Sequence, residues 1–168
     1  MPANTNVFRG SDATLTLAVE DSVEGQAAKE LIELYQLSPV GRASNVEVHV
    51  QTELDAYPEI GRRHPAVLRP GNIHISGKIG RDFINGALLR LLLGKGALPE
   101  RVAEPYVQPS FNIMIDLKDP AAPDTSSTLI VHGAKLENWA FNLPEDEFVM
   151  ESVTFQGLFI TVEDKVKA

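Results

Sequence analysis

The chain contains no cysteine. That absence removes disulfide frameworks, thiolate metal sites and cysteine nucleophiles together, and a cytosolic origin fits it. No run approaches the ~20 apolar residues that a membrane helix requires. Positive charge is in deficit, with 15 Lys and Arg against 23 Asp and Glu and a net charge of −8. So acidic a chain is a poor partner for tight contact with phosphate backbones. It is compatible with nucleic acid that passes by without sticking. The opening MPANTNVFRG has neither a basic region nor an apolar core, so no secretory signal is expected. What remains is 168 residues, 43% hydrophobic and 23% charged. These proportions predict one folded domain over residues 1–168 with a substantial core.

Period-2 alternation dominates the chain. In 13–19, Leu15, Leu17 and Val19 alternate with Thr14, Thr16 and Ala18. In 45–53, Val46, Val48 and Val50 form one face, and Glu47, His49, Gln51 and Glu53 the other. In 72–80, Ile73, Ile75 and Ile79 oppose Asn72, His74, Ser76 and Lys78. In 110–118, Phe111, Ile113, Ile115 and Leu117 share a face. Between the second and third of these, 55–71 carries Pro58, Pro65, Pro70, Gly61 and Gly71 and reads as an irregular connection. The polar stretch 119–127 reads as a loop.

The longest strand candidates flank the acidic connector Leu143-Pro144-Glu145-Asp146-Glu147, where Pro144 interrupts pairing. They span 129–142 and 148–162. In the first arm, Leu129 and Val131 share parity with Trp139 and Phe141, but Lys135 and Glu137 interrupt them; a bulge near Gly133 is expected to re-aim the face. The second arm carries large apolar groups on both faces: Val149, Val153, Phe155 and Phe159 against Phe148, Met150, Leu158 and Ile160. Two helices are expected. One is a short amphipathic helix over 24–37, with Ala28, Leu31, Ile32 and Tyr35 on its apolar side. The principal one spans 82–93, with Asp82 as its cap and Gly94 and Gly96 as its stop. The fold class predicted is mainly β with one principal helix, an antiparallel β-sandwich or open barrel.

Catalytic and cofactor signatures are absent. No phosphate loop, nucleophile elbow or dinucleotide fingerprint occurs. His49 and His74 with Glu47 could face each other as metal ligands, and Glu145, Asp146, Glu147 and Glu151 could form a cation site. Polar strand faces and a solvated turn are the preferred readings, since neither group has ligand spacing. The basic cluster Arg62, Arg63, His64 and Arg69 suits an intersubunit ion pair or a surface loop better than nucleic acid. No catalytic residue, metal ligand or cofactor is assigned.

The stretches EIGRRHPAVLRPGNIHISGKIGRDFINGALLRLLLG (59–94) and WAFNLPEDEFVMESVTFQGLFI (139–160) resemble the tail tube proteins of bacteriophages and related contractile particles. The resemblance runs from Val7 to Val162 in the order strand, Gly-rich strand, apolar helix and closing hairpin. It implies a subunit whose strands join a ring-shaped shared barrel, six to a ring, with rings stacked into a hollow tube that conducts DNA. The polar faces Glu47, His49, Gln51, Glu53, Asn72, His74, Ser76 and Lys78 become candidates for the lumen. Arg62, Arg63, Glu145, Asp146 and Glu147 become candidates for ring or stacking contacts. Implied partners are other copies of the chain, with sheath, tape-measure and baseplate proteins and double-stranded DNA in transit. The implied location is the virion tail, after synthesis in the host cytoplasm. Residues 20–44 are expected to form either a helix or an inter-ring loop. Two alternatives stand beside this reading: the inner tube of a secretion or injection system carrying protein, and a monomeric β-barrel that binds a small ligand.

Overall fold

A computed structural model describes residues 7–36, 40, 43–100 and 107–165. Seven strands and two α-helices appear among them: β1 (Ala13–Ala18), α1 (Val23–Tyr35), β2 (Ala43–Tyr57), β3 (Val67–Asp82), α2 (Ala87–Leu93), β4 (Phe111–Lys118), β5 (Ser126–Asn142), β6 (Met150–Gly157) and β7 (Phe159–Lys165). All pairings are antiparallel, in the order β1-β4-β5-β6-β3-β2, with β7 also on β5. The protein is mainly β, and the sheet curls into an open half-barrel. Its two end strands, β1 and β2, face each other across a cleft lined by Leu15, Val46, Val48, Ile115 and Leu117.

β5 belongs to both halves of this sheet. Its first part, Ser126–His132, lies between β4 and β7, and its second part, Lys135–Asn142, pairs β6. The chain turns at Gly133, whose φ is +63°. A side chain there would collide with Leu158 and strain the backbone. Leu158 N donates to His132 O (2.8 Å), and Gly133 N donates to the Asn112 side chain (3.1 Å). The bulge expected near Gly133 is present, and a second follows at Glu137. Each shifts the phase by one residue. Val131, then Ala134 and Leu136, then Trp139 therefore point to the core in succession.

The opposite arm is not one strand. β6 and β7 are separate, split at Leu158, because β5 changes partner there. Its two apolar faces are not both packed: Phe148, Leu158, Phe159 and Val162 are exposed.

The core gathers Leu15 and Leu17 of β1, Ile75 and Ile79 of β3, Phe111 and Ile113 of β4, and Val153 and Phe155 of β6. Burying each large side chain contributes roughly 1.5–3 kcal/mol. Gly77 leaves room for the Phe155 ring, which a Cβ would strike. Both helices close this core. α1 is capped by Ser22, whose Oγ accepts from Gly25 N (2.9 Å), and it buries Ala28, Leu31 and Ile32. Residues 23–35 of the segment expected to be helix or loop are thus helical; 37–39 and 41–42 lie outside the described residues. Arg90 of α2 donates to the Tyr35 hydroxyl of α1 (3.1 Å) and ties the two helices together.

The principal helix is shorter than its sequence suggests. Asp82 is not its cap but the last residue of β3, opposite Met150. Phe83 and Ile84 lie outside the helix, and Gly86 is its N-cap residue instead of an interior one. Asn85 Oδ1 accepts from Ala87 N (3.1 Å). The strand is held straight through residue 82 by a buried pair, Arg81 and Glu151, which face each other across β3 and β6. Arg81 and Glu151 are 1% and 2% exposed, and Trp139 Nε1 donates to the second carboxylate oxygen (2.9 Å). Asn85 accepts further hydrogen bonds from the guanidinium. Both charges are therefore satisfied, as burial demands.

The stretch 55–71 is also more regular than its prolines imply. β2 runs on to Tyr57 and β3 starts at Val67, so only the turn 58–66 is irregular. Pro70 is tolerated beside a bulge, where two residues of β3 fall between the pairs Thr52–Ile73 and Leu54–Pro70.

Two substitutions test this packing. Leu88→Ala, at a site 2% exposed, should cost ~2–5 kcal/mol in urea unfolding. Arg81→Ala, which strands a buried carboxylate, should cost about 3–5 kcal/mol, and Arg81→Met with Glu151→Leu should recover most of it. Single-site losses within about 0.5 kcal/mol, the range of surface changes, would show that neither side chain is part of the core.

Candidate functional site

The half-sheet β5-β6-β3-β2 has two unlike faces. Opposed residues in an antiparallel pair share a face, so the register sorts every side chain. Val46, Ile75, Ile79, Val153, Phe155 and Leu136 lie inward. On the outer face Glu47 stands opposite Lys78, His49 opposite Ser76, and Gln51 opposite His74. The eight residues proposed for a wet surface, Glu47, His49, Gln51, Glu53, Asn72, His74, Ser76 and Lys78, are all exposed, and the register brings the opposed pairs onto one side.

That polar face continues onto β6 and β5. Lys78 pairs with Thr154 and Ser76 with Gln156, and Thr154 in turn lies opposite Asn138. Asn138 Nδ2 donates to Thr154 Oγ1, and Gln156 Nε2 to Glu137 Oε1, each at 3.1 Å. The spacing of Ser152, Thr154 and Gln156 carried this signal, beneath the louder one from Phe148 and Leu158. The face is four strands wide, hydrophilic and mixed in charge. Glu47, Glu53 and Glu137 are set among Lys78 and Lys135, so the acidity of the chain is not concentrated here.

Two histidine–carboxylate contacts sit on it. His74 Nε2 meets Glu53 Oε1 at 2.9 Å, and His49 Nε2 lies 3.7 Å from Glu47. Both pairs are exposed. Among the described residues no three His, Asp or Glu side chains converge as metal ligands would.

Both sides of the half-sheet are open edges. Among the described residues β2 pairs with β3 alone, and residues 135–142 of β5 pair with β6 alone, although Gln108 Nε2 donates to Leu136 O (2.8 Å) on that edge. Edges of this length offer unpaired N–H and C=O groups to another chain. The proposed contact residues lie at opposite ends of the same half-sheet. Arg62 and Arg63 are in the β2–β3 turn, with Arg62 3.6 Å from Glu59. Glu145, Asp146 and Glu147 are in the β5–β6 turn, level with the start of β2 and the end of β3.

Glu53 has its pKa held below the ordinary carboxylate value, first by the hydrogen bond from His74, with desolvation opposing it. A depressed folded pKa means that its contribution is present above the unfolded value and lost as pH falls through the folded one. Carbon-detected NMR titration should show Glu53 protonating later than a free glutamate as the solution is acidified. His74→Ala should return it to the usual range. An unchanged midpoint in that variant would remove His74 as the cause.

No family model and no curated protein sequence matches the chain. Solved structures do. The sheath/tube terminator of an extracellular contractile injection system superposes with TM-score 0.62 at 10% identity, covering 96% of this chain and 99% of that one. The tube-terminating cap of the anti-feeding prophage gives 0.61 at 12% identity, covering 97% and 95%. The SPP1 tail tube gives 0.60 at 11% identity, covering 96% and 81%. Over nearly its whole length, the chain has the fold shared by phage tail tubes and the tubes of contractile injection systems.

Proposed function

We propose that this protein is a structural subunit of a hollow tail tube, built from rings of its own copies, six to a ring, stacked end to end. The observation that carries the reading is the pair of free edges on a half-sheet with one polar and one apolar face. Strands β5, β6, β3 and β2 run alternately down, up, down and up. Rotation of one copy onto the next then sets β2 beside its neighbour's β5 in antiparallel sense. Such a heterologous contact closes into a ring when the rotation permits, and closure leaves no exposed edge on that sheet. The apolar face already belongs to the core, so the polar face is the one turned to the bore.

A bore lined by Gln51, Ser76, Thr154, Gln156 and Asn138, with its few charges of both signs, offers no basic track. Duplex DNA crossing it gains no counterion release from a row of phosphate contacts. That suits a conduit through which a genome must move without being held. The protein acts as a part of the particle and not as an enzyme; its place is the tail of a virion, beside sheath, tape-measure and baseplate proteins. The structural matches to sheath–tube, baseplate and tail-tube assemblies support this placement.

Negative-stain microscopy and light scattering of the concentrated chain should show rings and hollow stacks. A chain that remains monomeric, even when seeded with preformed tail tips, contradicts the proposal. The orientation has its own test in a background free of cysteine. Ser76→Cys should react with a small maleimide in assembled tubes but be shielded from a large polymer-linked one. Equal labelling by both reagents would put the polar face on the outside.

A further inference from the structure

The link between β3 and α2 holds two residues whose chemistry the fold has not yet used. Asn85 is the only asparagine in the sequence that precedes a glycine. A following glycine has no side chain to shield its backbone nitrogen from the asparagine amide carbon. Nothing in the backbone demands a glycine here. The φ of Gly86 is −81°, and a Cβ on it would meet no atom within 4 Å. An alanine would fit the same place.

The amide of Asn85 is polarised from two sides. Its Oδ1 accepts from Arg81 Nη2 (3.3 Å) and from Ala87 N (3.1 Å). The second bond comes from two residues on and folds the side chain back over the Gly86 peptide. Arg81 carries a permanent charge, is 1% exposed, and is held by Glu151 through Nε. It also donates to the backbone oxygen of Asn85 (3.4 Å), so both ends of that residue are fixed. Two donors aimed at one carbonyl oxygen draw electrons from its carbon and stabilise the negative charge that attack would place there. The attacking group is adjacent. The Gly86 N–H makes no hydrogen bond among the described residues. Water has access, since Asn85 and Gly86 are half-buried and follow the exposed Phe83 and Ile84.

We infer that Asn85–Gly86 is a self-modifying site, where the folded chain converts its own amide to an acid with water as the only co-reactant. Hydroxide takes the proton from Gly86 N, and that nitrogen bonds to Asn85 Cγ. The bond from Cγ to the side-chain nitrogen then breaks, and that nitrogen takes a proton from water and leaves as ammonia. The product is a five-membered succinimide. A water adds to one of its two carbonyl carbons and opens the ring. Opening at Cγ leaves an aspartate at position 85, and opening at the backbone carbonyl leaves an isoaspartate. One water is consumed and one ammonia released, with nothing oxidised or reduced. The chemistry requires only the folded chain, whether or not copies assemble.

Either product changes the packing around it. A new carboxylate arrives beside Arg81, whose charge Glu151 already balances. The isoaspartate also lengthens the backbone by one carbon between β3 and α2. That helix carries Ala87, Leu88 and Leu91 into the core, so the lengthened link loosens the sheet from the helix that closes it.

Peptide mapping by mass spectrometry, after days of incubation of the full chain at mildly alkaline pH, tests the site. The amide-to-acid mass gain should be confined to the peptide that holds Asn85, with isoaspartate present and a rate that rises with pH. Asn45, Asn72 and Asn112, each followed by a β-branched residue, should remain amides. Gly86→Ala should suppress the conversion without unfolding the chain. Arg81→Met with Glu151→Leu removes the guanidinium and should slow it on the order of tenfold, less than the ~10²–10³ lost with an oxyanion donor in an enzyme, because Ala87 N remains. Unfolding the parental chain in guanidinium chloride should also slow it, a comparison that holds even if the double variant does not fold. An Asn85 that stays an amide throughout would overturn the proposal. So would equal rates in the folded and unfolded parental chain, since the fold would then contribute nothing.

Discussion

Everything in this structure follows from how one long strand divides its partners. β5 enters between β4 and β7, turns at Gly133, and leaves beside β6. A strand cannot serve two half-sheets of different direction without a break in its pleat. The positive φ of Gly133 supplies that break at little steric cost. Two phase shifts, at Gly133 and at Glu137, then let three successive segments of the strand bury alternate parities. Without them Lys135 and Glu137 would take the core positions now held by Ala134 and Leu136.

The bend leaves the second half-sheet with a particular character. Its inner face is anchored by Phe155, Ile79 and Val153, and its register is pinned by the buried Arg81–Glu151 pair. Its outer face is hydrophilic across all four strands, and its two edges are open. An isolated domain gains little from a wide polar sheet with long unpaired edges, and exposed edges invite uncontrolled association. A surface of this kind is coherent as one segment of a larger closed wall, the use that the proposed ring makes of it.

Much of this was legible in the sequence, for physical reasons. Strict alternation in β1 and β4 reports half-buried strands directly, in β2 it reports a strand covered only at Val46 and Val48, and Gly133 marks the bend because only glycine fits it. The bulge at Glu137 has no glycine to mark it; its trace is the return of Trp139 and Phe141 to the parity of Val131. The start of α2 is hidden in the sequence because Asp82, Phe83 and Ile84 mimic a cap and an apolar turn. The pairing of Asp82 with Met150 and the ion pair one residue earlier hold that segment extended instead. Pro58, Pro65 and Pro70 suggested a long loop, yet two of them flank or sit in the turn and the third lies beside a bulge. On the polar face, β2 and β3 were plain and β6 was not. Exposed Phe148 and Leu158 mask the alternation of Ser152, Thr154 and Gln156 between them. Edge-to-edge closure is a property of several copies, and no single strand pattern encodes it.

The proposed ring requires that β2 of one copy add to β5 of the next. Backbone amides report such a bond directly, since pairing protects them from exchange with solvent. Hydrogen–deuterium exchange, compared between the dispersed chain and assembled tubes, should show protection gained along 45–51 of β2 and 138–142 of β5. Amides of β4, paired on both sides within one copy, should change little. Equal exchange of the β2 and β5 edges before and after assembly would contradict the shared sheet.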